Sequence, residues 1–132
     1  MKDLIEKFQD LELEISKVKG DFALFALFLR DDSVDKWDIV VAAPWIENDR
    51  KNALAYITSR IQLVFSKAEL TRISRVILID EANPALSAVN TAIRMNHGAA
   101  EVKDSNFFGL RIKHGYILTS QRPNAIPETS MA

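Results

Sequence analysis

Two apolar segments of the chain run directly into acidic, amide and aromatic side chains, the residue types that hold small polar ligands or divalent cations. These residues are Trp45, Glu47 and Asn48 after the first segment and Asp80, Glu81 and Asn83 after the second. In open α/β sheets, ligands favour the crevice beyond the carboxyl ends of parallel strands, and carboxylates with water can hold Mg²⁺. If the two segments are neighbouring parallel strands, these residues predict one binding crevice.

The same side chains also have a purely structural interpretation. Acidic and amide residues at helix N-termini cap free backbone N–H groups and suit the helix dipole. The sequence is therefore compatible with a ligand or metal site, but a set of helix caps is the favoured interpretation.

The second apolar segment has the form of a Walker B strand, because four apolar residues at 76–79 precede Asp80 and Glu81. An ATPase also needs a glycine-rich phosphate loop that ends in Lys-Ser or Lys-Thr. The chain has four glycines and no such loop. The sequence therefore argues against an ATPase.

A third arrangement is similar to the acid and lysine sets of metal-dependent nucleases. Glu101 and Lys103 are two residues apart, and Asp38 or Asp80 would complete the set. The same spacing arises on any exposed strand face, where it makes a surface charge pair. The nuclease hypothesis requires these side chains to meet within a few ångströms.

The two histidines have structural interpretations in the sequence. His97 is expected at the C-terminus of a helix, where a cationic imidazole is favoured, and His114 in a turn. A small nucleic-acid face is conceivable but matches no RNA-recognition pattern, and sheet-edge burial of its rings is the preferred interpretation. Its members would be Phe107, Phe108, Arg111 and Lys113.

Composition narrows the class of protein further. The 132 residues fit one domain of ordinary size, with 48% hydrophobic and 27% charged residues. The formal net charge of −1 makes a nucleic-acid partner an unfavoured hypothesis. There are no cysteines, which removes thiolate metal sites and cysteine nucleophiles, and we predict no cofactor. No secretory signal or membrane span is recognisable, so we expect a cytoplasmic protein without a membrane partner.

The local patterns predict a single α/β domain at 1–120 with the element order α-β-β-α-β-α-β-β. Its mixed sheet should have four to five strands with helices on both faces, because the strand at 22–29 is apolar on both alternating faces. We expect strands two (37–45) and three (75–80) to be parallel through a right-handed crossover. The connection after strand three should likewise lead to a further parallel strand.

The N-terminal segment, Lys2–Lys19, has the spacing of an amphipathic helix that ends before Gly20. The apolar positions fall at intervals of 4, 3, 4 and 3, at Leu4, Phe8, Leu11, Ile15 and Val18. This stripe predicts a helix laid over the sheet. A short dimer seam is the alternative, although two heptads are fewer than a coiled coil usually shows.

Other boundaries follow from capping and turn residues. The helix after strand two should begin at Glu47 or Asn48 and reach about Phe65, and Ser66 with Glu69 has the form of a capping box. Asn83 and Pro84 should start another helix.

The last third of the chain is expected to contain a helix end, a hairpin and a tail. The helix should end at His97–Gly98 with Gly98 in the left-handed conformation, and 104–106 should form a hairpin turn. The segment 107–120 is one long strand or, in the favoured version, two strands broken at His114–Gly115. Residues 121–132 are expected to be a disordered tail.

These observations support three functional hypotheses in a fixed order. The first is a non-enzymatic accessory or protein-interaction domain that self-associates as a homodimer through the N-terminal helix or a sheet edge. The second is a binder of a small ligand or divalent metal at the crevice described above. The third is a metal-dependent nuclease that uses Asp38, Asp80, Glu101 and Lys103.

Overall fold

A strand buried on both faces forms the centre of the structure, a computed structural model that describes residues 2–121. This strand, β1 (Leu24–Arg30), is fully buried from Leu24 to Phe28. It has a neighbouring strand on each side, in a five-stranded sheet of order β3-β2-β1-β5-β4. The expected mixed α/β sheet with helices on both faces is confirmed.

The remaining elements follow in the predicted order. They are α1 (Lys2–Lys19), β2 (Trp37–Ala42), α2 (Pro44–Asn48), α3 (Arg50–Val64), α4 (Lys67–Leu70), β3 (Ile73–Leu78), α5 (Pro84–Ala92), β4 (Ala100–Phe107) and β5 (Leu110–Ser120).

Each face of the sheet carries its own apolar core. On one face, Phe25 and Leu27 of β1 pack in a cluster with residues of α1, α2 and α3. On the other face, Ala26 and Phe28 pack in a second cluster with residues of α5. Alternate residues of β1 thus enter different cores, as the period of a strand requires.

Helix α1 lies over the sheet and uses its apolar stripe within the chain. Leu4, Phe8, Leu11 and Ile15 are all buried in the first core. Val18, predicted on the same stripe, is 65% exposed. The face that would form a dimer seam is therefore already covered by the sheet of the same chain.

Strands β2 and β3 are parallel neighbours, as predicted. The expectation that strand three is followed by a further parallel strand is wrong. After α5 the chain crosses to the opposite edge of the sheet, where β4 pairs antiparallel with β5. Because β1 is antiparallel to both β2 and β5, β4 runs antiparallel to β3.

Two of the predicted helix boundaries change in the structure. Pro44 begins the short helix α2, and Asp49 then caps a separate helix α3 by accepting a hydrogen bond from the Asn52 backbone N–H. Helix α5 has the predicted Asn83 cap but ends at Ala92, well before His97. The capping box of Ser66 and Glu69 is present as expected at the start of α4.

The predicted turns of the last third are also corrected. His97, and not Gly98, has a positive φ, at 54°. The segment 104–106 lies inside β4, and the hairpin turns at Phe108 and Gly109, with φ angles of 54° and 76°. The favoured break at His114–Gly115 is absent, because β5 continues through both residues.

The C-terminal tail predicted at 121–132 falls, apart from Gln121, outside the described residues. The Gln121 N–H still donates to the Ala23 carbonyl, so the sheet connection extends one residue further than expected. Within residues 2–121, no helix has both the length and the apolar character that a membrane span needs.

Gly115 provides a test of the packing between β1, β5 and β4. A Cβ at this position would lie 2.8 Å from the Phe28 ring, 3.0 Å from Val102 and 3.1 Å from a backbone oxygen. We expect Gly115→Ala to cost about 2–3 kcal/mol of unfolding free energy, because overpacking of a well-packed core costs about 1–3 kcal/mol. Urea denaturation measures the loss.

Gly109→Ala is the matched control. Nothing lies within 4 Å of its Cβ position, but its φ of +76° is left-handed. That variant should lose only about 1 kcal/mol from backbone strain. Equal losses at the two positions would contradict close packing around Gly115.

Candidate functional site

The loops that follow β2 and β3 meet at one edge of the sheet, as the sequence predicts. The Glu81 backbone N–H donates to Glu47 Oε2 at 3.2 Å. The meeting follows from the parallel pairing of the two strands, which brings their carboxyl ends together.

Three of the polar side chains of these loops, those of Glu47, Asp80 and Asn83, already have partners in the structure. Glu47 pairs with Arg50 at 3.1 Å, and the Arg50 guanidinium also donates to the Leu78 carbonyl at 3.2 Å. Asp80 accepts from the Ala82 N–H and Asn83 from the Ala85 N–H. These contacts agree with the capping interpretation, and ligand binding at this crevice stays a prediction.

Trp45 faces a different part of the structure from the acidic side chains. Its ring packs edge-on against Phe22 and Tyr56 in the first core. Its Nε1 is buried and has no hydrogen-bond partner among the described residues. The ring borders a cleft of about 240 Å³ that Lys19, Asp49 and Asn52 also line. Asn48 is exposed at the end of α2.

Crowding of carboxylates affects Glu81 most. Burial raises the pKa of its carboxyl group above the ordinary value, and the negative charges of Glu47 and Asp80 raise the pKa further. The folded protein thus favours the neutral form of Glu81 more than the unfolded chain does.

The four residues of the nuclease hypothesis do not come together. Asp38 lies on β2 and Glu101 on β4, and β1 and β5 separate these strands by three spacings of roughly 4.8 Å. The pairing register also places them on opposite faces, because Asp38 is beside Phe28 of the second core while Glu101 is beside Tyr116 of the first. Within residues 2–121, no group of three or more acidic or histidine side chains could hold a metal ion.

Asp38 instead forms a buried ion cluster that sequence reasoning did not find. Its carboxylate is fully buried and accepts from Arg30 Nε at 2.8 Å and from Arg75 Nε at 3.4 Å. Arg30 also pairs with Asp32 at 3.1 Å. One carboxylate at the sheet interior therefore connects β1, β2 and β3.

The outer edge of β3 is open along its backbone. Within residues 2–121, only β2 pairs with β3, because β3 is one of the two edge strands of the sheet. The Ile79 N–H donates to the Val41 carbonyl, and alternate residues of a strand point their backbone groups to opposite sides. The Val76 and Leu78 N–H groups therefore point away from β2. The Leu78 carbonyl is covered by Arg50, which leaves the stretch around Val76 as the accessible part.

An apolar groove runs beside this open stretch. It has a volume of about 440 Å³ and lies between α3 and β3. Its lining consists of five aliphatic residues, Leu54, Ile61, Leu70, Ile73 and Val76, together with four polar ones, Thr58, Gln62, Ser74 and Arg75. We call the open backbone of Ile73–Leu78 together with this groove the β3 edge site. The sequence contains its apolar residues, but only the order of the strands shows that they border an edge.

Sequence reasoning also missed a buried polar network between α1 and the end of β5. Glu12 is fully buried, and its carboxylate accepts hydrogen bonds from the Ser16 and Thr119 hydroxyl groups at 3.1 and 2.9 Å. Its other oxygen lies 2.6 Å from His97 Nδ1. The spacing contained a signal, since Glu12 is one helical turn after Phe8 and one before Ser16, on the buried side of α1.

Comparison of the chain with protein-family models, curated proteins and solved structures found no match.

Glu81 predicts a pH-dependent difference in stability. A raised pKa in the folded state favours folding at low pH, and this contribution is lost as the pH rises through the folded-state value. Glu81→Gln should therefore melt at a higher temperature than the wild type at pH 7, and the two should converge near pH 4, as followed by circular dichroism.

Glu69 gives a control of opposite sign. Hydrogen bonds from Lys7 and the Ser66 backbone lower the pKa of Glu69, so its contribution is present at neutral pH and is lost as the pH falls. Glu69→Gln should lower the melting temperature at pH 7. A lower melting temperature for Glu81→Gln at pH 7 would contradict the crowding of carboxylates at the crevice.

The two histidines allow a matched test of the buried network. Each lies 2.6 Å from a glutamate oxygen, but the Glu12 side chain is 0% exposed and that of Glu101 is 48% exposed. His97→Ala should cost about 2 kcal/mol of unfolding free energy, because it leaves one oxygen of the buried Glu12 carboxyl group without its hydrogen-bond partner. His114→Ala should cost less than about 1 kcal/mol in that exposed pair. Urea denaturation that gave equal losses would contradict the network.

Proposed function

We propose that this protein is a non-enzymatic interaction domain that binds an extended segment of a partner protein at the β3 edge site. The partner segment would add to the sheet as a further strand beside β3. The observation that carries the proposal is the combination of outward backbone groups at Val76 and Leu78 with an apolar groove beside them.

Strand addition explains why both features are needed. Backbone hydrogen bonds to a sheet edge supply affinity, and pockets for alternate side chains of the added strand supply specificity. Val76 contributes to both, because its backbone faces outward and its side chain lines the groove. The Arg50 guanidinium on the Leu78 carbonyl would mark where the added strand ends.

Self-association fits the structure less well at one of its two proposed locations. The apolar stripe of α1 is buried within the chain, so the N-terminal helix offers little for a homodimer. A sheet edge remains available for a second copy. The proposal concerns a cytoplasmic protein and requires no cofactor.

The small-ligand part of the second hypothesis has one supporting observation of its own, whereas the metal part has none. Trp45 Nε1 is a buried donor without a partner among the described residues, next to a cleft lined by Lys19 and Asn52. A thermal-shift screen with divalent metals and nucleotides tests this second candidate. No shift with any of them would remove it.

Strand addition predicts a specific effect of Val76→Pro. Proline removes the outward N–H but is tolerated on an edge strand when that N–H faces solvent. The probe is a labelled ten-residue peptide in which valine alternates with glutamine, and fluorescence anisotropy measures its binding. We expect wild-type protein to bind the probe and Val76→Pro to bind at least about fivefold more weakly, since one or more backbone hydrogen bonds are lost.

Val76→Thr is the matched control, because it keeps the backbone N–H and nearly the same shape. It should bind the probe within about twofold of the wild type. Circular dichroism melting confirms that each variant is folded. If Val76→Pro binds the probe as tightly as the wild type does, strand addition at this edge is excluded.

A further inference from the structure

A half-exposed guanidinium group, that of Arg75, lies next to the β3 edge site. Asp38 supplies one buried carboxylate to two guanidinium groups, those of Arg30 and Arg75. Arg30 has Asp32 as a second acidic partner, at 3.1 Å. Among the ion pairs of residues 2–121, Arg75 has Asp38 alone, at the longer distance of 3.4 Å. Arg75 is therefore the more weakly held of the two guanidinium groups on Asp38.

Arg75 is placed to reach a molecule beside the strand. Its side chain is 49% exposed, whereas that of Asp38 is 1% exposed. Nε is turned toward the buried carboxylate, and a guanidinium has further N–H groups that can donate elsewhere. An acidic group at the open edge would meet these donors without displacing Asp38.

Arg75 borders the groove, but the pairing register places its side chain and that of Val76 on opposite faces of β3. Arg75 is opposite Asp38, which is on the same face as the second core, while Val76 is opposite Ile39 of the first core. A strand added to β3 alternates its side chains between these same faces. Its residues would therefore meet the apolar groove and the Arg75 guanidinium in turn.

We propose that the β3 edge site selects an extended segment in which apolar residues alternate with acidic ones. The apolar side chains enter the groove between α3 and β3, and a carboxylate pairs with Arg75 on the other face. Directly opposite side chains on neighbouring strands have Cβ atoms roughly 4.5–5.5 Å apart, close enough for such a pair. This inference rests on the proposed function and adds the chemistry of the partner.

A second copy of this chain is a poorer occupant for the same reason. Antiparallel pairing of β3 with its own copy, centred on the open stretch at Arg75 and Val76, would bring the two Arg75 side chains opposite or diagonal to one another. Like charges so placed are destabilising. The charge of the edge therefore favours an acidic partner over a homodimer.

Three ten-residue peptides test the inference, with valine alternating with glutamate, glutamine or lysine. We expect the glutamate peptide to bind about threefold to tenfold more tightly than the glutamine peptide at low salt, and the lysine peptide to bind most weakly. The preference should shrink in 0.5 M NaCl, because salt screens exposed charges. Fluorescence anisotropy measures all three.

Arg75→Gln should abolish the preference for glutamate while binding of the glutamine peptide is retained. Asp38 keeps its 2.8 Å contact with Arg30 in that variant. Arg75→Lys, which retains the charge, should keep much of the preference. If Arg75→Gln does not fold, the salt dependence of the wild-type protein decides the question alone.

The outcomes separate this inference from the function on which it rests. If all three peptides bind the wild-type protein equally and Val76→Pro weakens their binding, the acidic preference is overturned. Strand addition would then still stand. Binding of none of them would overturn strand addition itself. If the wild-type protein forms dimers at low concentration and Val76→Pro makes it monomeric, a second copy is the occupant of the edge. That result would reject the acidic partner.

Discussion

The rest of the structure depends on the burial of β1 from both sides. Both faces of this strand are apolar. A sheet covered by helices on one face only would leave half of the side chains of β1 in water. The chain meets this requirement with α1, α2 and α3 over one face and α5 over the other. It also places β1 third among five strands, where both of its edges are paired. The two edges of the sheet consequently fall on β3 and β4, each two strands away from β1.

Local patterns were enough to predict most elements but not how they connect. The stripe of α1, the caps at Asn83 and Ser66 and the apolar core of β1 are short-range signals, and each gave the right kind of element. The position of β4 is a long-range property, because nothing in its own sequence distinguishes pairing with β3 from pairing with β5. The turn predicted at 104–106 failed for the same reason. The pairing of β4 with β5 continues the strand through these residues to Phe107.

The candidate site shows the same division between local and long-range information. The loops after β2 and β3 do meet, as neighbouring parallel strands require, yet their acidic side chains are bonded within the loops. Arg75 and the groove beside Val76 become a possible binding surface only because β3 is the last strand. Asp38 also depends on long-range information. Its buried carboxylate inside an apolar strand is explained by Arg30 and Arg75, which lie on the two neighbouring strands.

The network around Glu12 has a consequence for how the chain matures during synthesis. Helix α1 is synthesised before the other elements of the domain, but the Thr119 hydroxyl that bonds Glu12 lies 107 residues later in the chain, and β5 pairs with β1 over separations of 82 to 96 residues. Until β5 leaves the ribosome, β1 has no partner along one of its edges and Glu12 lacks one of its hydrogen-bond donors. Contacts so distant in sequence form slowly and leave a nascent chain open to aggregation. A chain that stopped before β5 would thus leave its most apolar strand unpaired along one edge.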